Sequence, residues 1–135
     1  MDIIFQDESL LLVNKPAGLL TLKDGYNPSL PNLIDQVRHE FGTCWVVHRL
    51  DKETSGLILF ALSAVAHRNL NLQFQDRKIC KEYYALTYGK FDQVDVIVDA
   101  PLKINGDRNH RTTIDFINGK SAQSHIHLLT SYDQI

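Results

Sequence analysis

The sequence predicts an α+β fold in which a mainly antiparallel or mixed β-sheet carries about two helices. Segments with a strand pattern outnumber segments with a helical pattern by about seven to two. Both helical segments fall in the first half of the chain, so strands and helices do not alternate strictly. A length of 135 residues suits one domain with a buried core, which we expect over residues 1–135.

The first half is predicted to form a hairpin, a helix and two further strands. Two apolar runs, 3–5 and 10–13, flank a turn and predict the hairpin, which ends where a proline and a glycine follow. Apolar side chains at helical spacing predict a helix over 33–41. The runs 45–47 and 56–62 are apolar and of strand length.

The chain after residue 62 is predicted to form the second helix and then only strands. Ser63 is a suitable N-cap for a helix over 64–75. Alternation of side chains favours a long strand at 79–88. The remaining strand candidates are 94–98, 112–117 and 124–129, with a loop at 105–110.

Composition indicates a cytoplasmic globular protein without a membrane partner. No apolar run approaches the roughly 20 residues of a membrane span, and the N-terminus has no basic region typical of a secretory signal. We expect Cys44 and Cys80 to be reduced thiols in the core. The net charge of −2 argues mildly against nucleic-acid binding, which usually needs a basic surface.

The residues from His48 to Gly56 form a dense polar loop between two apolar strands. Rigid strands on both sides would fix a catalytic carboxylate there. Asp51 stands between Arg49 and Lys52, which favours its ionised form, as a nucleophile or general base requires. On composition alone, a charged hairpin loop facing water is favoured over a catalytic loop, because clustered charges are common in loops.

The order of the residues in this loop, His-Arg-Leu-Asp-x-x-Thr-Ser-Gly followed by an apolar strand, resembles the signature of the RluA-type pseudouridine synthases. Other segments agree in order. Residues 13–20 are similar to the opening motif of that family, and residues 81–83 are similar to its Lys-x-Tyr motif. Residues 119–124 are similar to a Gly-Lys-x-Ala-x-Thr segment, with Ser124 where threonine is usual. The resemblance implies a pseudouridine synthase catalytic-domain fold.

The resemblance also implies a reaction on structured rRNA or tRNA. A uridine is flipped out, its N1–C1′ bond is broken, and the base is reattached through C5. Asp51 matches the catalytic aspartate, whether it attacks C1′, attacks C6 or removes a ribose proton. Tyr83 matches the aromatic residue that stacks on the flipped base and helps to move the C5 proton. Without the motif, Tyr83 would be interpreted as a strand tyrosine in the core.

Four more residues are assigned to RNA or substrate binding by the same resemblance. Arg49 matches the residue that fills the gap left by the flipped base, and its alternative is an ion pair with Glu53 or Asp51. His48 and Thr54 are expected to hold the shape of the loop, and Lys81 belongs to the Lys-x-Tyr motif. We expect no cofactor and no metal, because the isomerisation is redox-neutral.

The chain departs from the family in two ways. It has no N-terminal S4-type module, and no segment like Gly-Arg-Thr-His-Gln-Ile-Arg follows the regions that match. We therefore interpret it as the N-terminal portion of the catalytic domain, with the C-terminal part missing. On that interpretation the chain alone would lack activity and would self-associate through exposed sheet edges. The alternative is an inactive remnant that binds RNA weakly.

A metal site is the other alternative. His125 and His127, two residues apart on a predicted strand, would share one face of it. His110, Asp107 or Asp115 would then have to complete the set of ligands. Two histidines are weak support for such a site.

Overall fold

The computed structural model describes residues 1–108 and 111–132 and divides the chain into two compact units. The first unit spans Met1–Tyr83, and the second begins at Tyr84. The first contains a four-stranded antiparallel sheet and two helices, and the described part of the second contains two antiparallel strand pairs. The predicted α+β fold class is therefore confirmed.

The elements of the first unit follow the predicted order. They are β1 (Asp2–Gln6), β2 (Leu10–Lys15), α1 (Leu33–Phe41), β3 (Trp45–Val46), β4 (Gly56–Ala61) and α2 (Ala64–Gln75). Both helices begin at a capping side chain. Asn32 accepts a hydrogen bond from the amide of Asp35 at 3.0 Å, and Ser63 accepts one from the amide of Ala66 at 3.2 Å. The two predicted helices have the predicted bounds because their caps and apolar spacing are local signals.

The core of the first unit lies where α1 packs on the sheet, whose strand order is β1-β2-β4-β3. Successive side chains of a strand point to opposite faces, so every second residue of β2 enters the core. The buried cluster is Leu11, Val13, Leu33, Ile34, Val37, Cys44, Ile58 and Phe60. The same alternation carries the side chain of Lys15 into the interior, where it is fully buried.

The second unit contains four short strands in its described part. They are β5 (Asp95–Asp99), β6 (Leu102–Lys103), β7 (Thr113–Ile114) and β8 (Gln123–His127). β5 pairs with β8, and β6 pairs with β7. The strands predicted at 94–98 and 124–129 are confirmed to within two residues. The strand predicted at 112–117 is only two residues long, and β6 was not predicted.

The long strand predicted at 79–88 is wrong. This segment is not a strand, and its tyrosines and leucine are exposed; Tyr88 reaches 99% exposure. A strand needs a hydrogen-bonded neighbour, and none of the strands within 1–108 and 111–132 pairs with it. For the same reason Cys80 is exposed, so the prediction of two core thiols holds only for Cys44.

The Lys15 ammonium joins two loops. Its Nζ donates hydrogen bonds to the carbonyl oxygens of Pro16 at 3.0 Å, Leu19 at 2.7 Å and Lys52 at 3.1 Å. The Lys52 carbonyl also accepts the amide of Gly18 at 2.8 Å. Gly18 has a φ of 83°, a left-handed conformation that glycine adopts without strain. The turn after β2 and the polar loop before β4 are thereby held together.

His48 holds the other end of the polar loop. Its Nε2 accepts a hydrogen bond from the amide of Leu59 in β4 at 3.0 Å. Its ring stacks on Phe74 of α2, with the ring centroids 5.0 Å apart. Burial lowers the pKa of His48, and the positive charge of Lys81 lowers it further. The acceptor role requires an unprotonated Nε2, so the neutral imidazole is the form that stabilises the loop.

We predict that Lys15→Met destabilises the first unit by about 2–4 kcal/mol. The substitution keeps an apolar stem but removes three hydrogen bonds and leaves carbonyl oxygens without a donor. Urea unfolding at neutral pH measures the change in the free energy of unfolding. The control is Lys78→Met at an exposed position, which should change it by no more than about 0.5 kcal/mol. Equal effects of the two substitutions would contradict the role given to Lys15.

We predict that His48 makes stability fall as the pH is lowered from about 7.5 to about 5. Because its folded-state pKa is depressed, its contribution is complete above the unfolded pKa of about 6.5 and is lost as the pH falls through the folded pKa. His48→Gln keeps an acceptor that does not titrate, so the free energy of unfolding should vary less with pH. His39→Gln, at an exposed helix position, is the control for the loss of a histidine outside the polar loop.

Candidate active site

The polar loop of residues 48–55 connects β3 to β4 and places Asp51 at its tip. The amide of Thr54 donates to the Asp51 carbonyl at 3.1 Å, which closes a tight turn. The side chain of Asp51 is 83% exposed, while the preceding residue, Leu50, is buried. The loop is thus anchored by one buried residue and displays a carboxylate to solvent.

Asp51 lines a cavity of about 260 Å³ in the first unit. Residues 20–25 form one wall of this cavity, and residues 49–52 form the other. The lining contains the cations Lys23, Arg49 and Lys52 together with two carboxylates. This volume lies just below the usual range for drug-sized ligands, which suits a ligand as small as one base.

The ion pairs of the loop are long and exposed. Arg49 Nη2 lies 3.9 Å from Asp51 Oδ1, and Lys52 Nζ lies 3.9 Å from Glu53 Oε1. Exposed pairs at this distance are weak, so neither cation is fixed on its carboxylate. The ion pair of Arg49 with Asp51, the alternative for this arginine, is therefore present but leaves the guanidinium free to move.

The buried ammonium group of Lys15 adds positive charge close to the polar loop. Burial lowers the pKa of its ammonium group, and the nearby charges of Glu53 and Asp51 act in the opposite direction. The ammonium therefore lies within electrostatic range of both carboxylates while it bonds to the Lys52 carbonyl. Sequence patterns did not single it out for this task, because a lysine that ends a strand usually faces solvent.

Thr21 is a second residue of the site that the sequence did not indicate. Its buried hydroxyl donates to the Leu50 carbonyl at 2.7 Å and accepts the Leu50 amide at 3.3 Å. One side chain therefore satisfies both backbone groups of the residue before Asp51. No sequence motif predicts this contact, which links segments 29 residues apart in sequence.

The other residues proposed from the sequence fall into two groups, one partly buried and one exposed. His48 and Thr54 are partly buried; the His48 ring accepts the Leu59 amide, and the backbone amide of Thr54 donates to the Asp51 carbonyl. Tyr83 is 59% exposed, so the alternative that it packs in the core is wrong. Lys81 is exposed and acts electrostatically on His48. Among the hydrogen bonds of residues 1–108, none joins Tyr83 to Asp51.

The residues of the suggested metal site have other partners. His125 and His127 both approach Asp95 Oδ1, at 3.3 Å and 2.8 Å. Asp107 pairs with Arg111, and Asp115 pairs with Lys103. His110 lies outside the described residues. Within the part of the chain that the structure describes, no cluster of three or more histidines, cysteines or carboxylates has metal-binding geometry.

Neither helix is suited to cross a membrane. α1 has 9 residues and α2 has 12, against the roughly 20 that a span requires. In the described ranges no helix combines the necessary length and hydropathy.

Comparison with known proteins gives matches over nearly the whole chain. The family model described as RNA pseudouridylate synthase matches residues 9–134. The dual-specificity RNA pseudouridine synthase RluA of Haemophilus influenzae is 37% identical over 96% of this chain and 59% of its own length. The protein of the same name from Yersinia pestis is 33% identical over 98% of this chain and 65% of its own length. The chain thus spans about 60% of the length of these curated relatives.

Solved structures show the same fold. Human RNA pseudouridylate synthase domain containing 4 superposes with a TM-score of 0.74 over 97% of this chain and 54% of its own, at 23% identity. Human RNA pseudouridylate synthase domain containing 1 gives 0.69 over 92% of this chain and 49% of its own, at 25% identity. The match of the family model over nearly all residues shows that the chain belongs to the RNA pseudouridylate synthase family.

Proposed function

We propose that this protein is an RNA pseudouridine synthase that isomerises uridine to pseudouridine in structured ribosomal or transfer RNA. The observation that carries the proposal is Asp51, an exposed carboxylate on a fixed loop at the wall of a base-sized cavity. The curated relatives are named dual-specificity synthases, a name that fits enzymes with more than one RNA target.

In the proposed reaction Asp51 is the catalytic carboxylate. The N1–C1′ bond breaks, the C5–C1′ bond forms, C5 loses a proton and N1 gains one. The reaction is an isomerisation, so atoms and electrons balance without a cofactor or metal. The exposure of the Asp51 side chain supports this role, because it leaves the carboxylate accessible to a ribose or a base.

Tyr83 is proposed to stack on the flipped uracil. Its side chain is more than half exposed and is therefore accessible to a base. Arg49 is proposed to fill the gap in the RNA helix, for which a mobile, planar guanidinium is suited. Lys81 is proposed to contact the RNA backbone, with His48 and Thr54 keeping the loop in place.

Residues 1–135 are proposed to form part of one catalytic domain, since the family match covers residues of both compact units. The cytoplasm is the proposed location. Its support is the chemistry of the substrate, RNA, and two cysteines that form no disulfide.

Self-association through β1 is a further part of the proposal. β1 pairs with β2 on one side only, at the end of the sheet. Ile3, Ile4 and Phe5 in this strand are exposed. An apolar edge strand with unpaired amide and carbonyl groups is a template for a second strand.

We predict that Asp51→Asn lowers pseudouridine formation by at least about 100-fold and leaves RNA affinity unchanged. The amide keeps the shape of the carboxylate but neither attacks carbon nor accepts a proton. Conversion is measured by carbodiimide labelling and primer extension on transfer and ribosomal RNA fragments. The proteins are this chain and a hybrid that adds the part of the Haemophilus influenzae relative beyond the matched segment.

Glu53→Gln is the matched control, because it removes an exposed carboxylate from the same loop and should keep parental turnover. Parental turnover in Asp51→Asn would exclude Asp51 as the catalytic group. RNA binding without turnover in both the chain and the hybrid would favour the inactive remnant instead.

We predict that Ile4→Lys weakens self-association by about tenfold or more, because charge at an edge strand opposes pairing. Sedimentation equilibrium over a range of protein concentrations measures the effect. Val65→Lys places the same charge at an exposed position of α2 and should leave the association constant unchanged. A parent chain that is monomeric at every concentration would refute this part of the proposal.

A further inference from the structure

Residues 22–31 form a closed surface loop, here named the Tyr26 loop. Its ends meet at Leu20 and Asn32, which form a β-bridge. The amide of Leu33 donates to the Leu20 carbonyl at 2.8 Å, and the amide of Ile34 donates to the Thr21 carbonyl at 3.1 Å. Compact loops with adjoining ends are frequently functional.

The Tyr26 loop has a fixed conformation. The carboxylate of Asp24 accepts the amides of Tyr26 at 2.8 Å and Asn27 at 2.7 Å. These bonds, that from Asn27 most of all, lower the pKa of Asp24, so the carboxylate is ionised at neutral pH. Lys23 Nζ lies 3.3 Å from Asp35 Oδ2 of α1. The position of Tyr26 at the tip is therefore set before any ligand binds.

The ring of Tyr26 contributes nothing to the packing of the described structure. It is fully exposed, at 101% of the reference area. Proteins that bind unpaired nucleotides display aromatic rings in this way, because every base has a π-face that stacks on them. Stacking is tolerant of sequence but depends on where the nucleotide lies.

The Tyr26 loop adjoins the polar loop of residues 48–55. Residues 20–25, which lead into Tyr26, form the cavity wall opposite residues 49–52. The Thr21 hydroxyl bonds to both the amide and the carbonyl of Leu50, the neighbour of Asp51. A base bound at Asp51 would thus have the Tyr26 loop beside it, with Lys23 on the same wall to attract a phosphate.

We propose that Tyr26 stacks on a nucleotide adjacent to the target uridine and so helps to determine which RNA context the protein accepts. The inference rests on the proposed function, since it requires a uridine at Asp51. It assigns to this chain a second stacking residue, on a different element from Tyr83. The two rings would hold neighbouring positions of one unpaired RNA segment.

The test measures binding of the 135-residue chain to a short RNA hairpin with one uridine in its loop. 2-Aminopurine is placed directly 5′ or 3′ of that uridine, and its fluorescence falls when it stacks. Tyr26→Ala should weaken binding by about 5- to 150-fold and abolish the quenching at one of the two positions. Tyr26→Phe keeps the ring and should preserve both.

Tyr88→Ala is the matched control, because it removes an equally exposed tyrosine ring from outside the Tyr26 loop. It should bind and quench like the parent. Parental affinity and quenching in Tyr26→Ala would overturn the inference while leaving the proposed function intact. A parent chain that does not bind the hairpin would overturn both, and circular dichroism establishes that each variant is folded.

Discussion

The geometry of the site depends on one buried ammonium group, that of Lys15. A charge removed from water is costly unless each of its protons has a partner. Here the three protons point to three backbone carbonyls, which belong to the turn after β2 and to the polar loop of residues 48–55. The requirement that these carbonyls converge on one nitrogen fixes both segments relative to β2. The position of Asp51 therefore depends on the hydrogen bonds of Lys15.

Much of the fold was predictable because its signals are local. The hairpin of β1 and β2 and both helices follow from alternation, capping residues and helical spacing within short windows. The segment 79–88 has an equally clear alternation but is not a strand. Alternation predicts which side chains share a face of a strand. It does not predict whether a neighbouring strand is present to form the hydrogen bonds of a sheet.

The sequence motif indicated candidate catalytic residues but did not indicate the residues that support the polar loop. Asp51 and Tyr83 were identified by motif, and both have exposed side chains. Lys15 and Thr21 were not identified as supports, because their partners are backbone carbonyls and an amide distant in sequence. Any residue type offers those backbone groups, so no pattern of side chains records the contact.

The bridge between Leu20 and Asn32 affects which changes the fold tolerates during evolution. The bridge holds the two ends of the Tyr26 loop together. Changes in the length or sequence of this loop therefore have little effect on the stability of the core. Insertions there cost little loop entropy and leave Thr21 in place beneath Asp51. The segment can therefore be exchanged while the two hydrogen bonds between Thr21 and Leu50, which support Asp51, are retained.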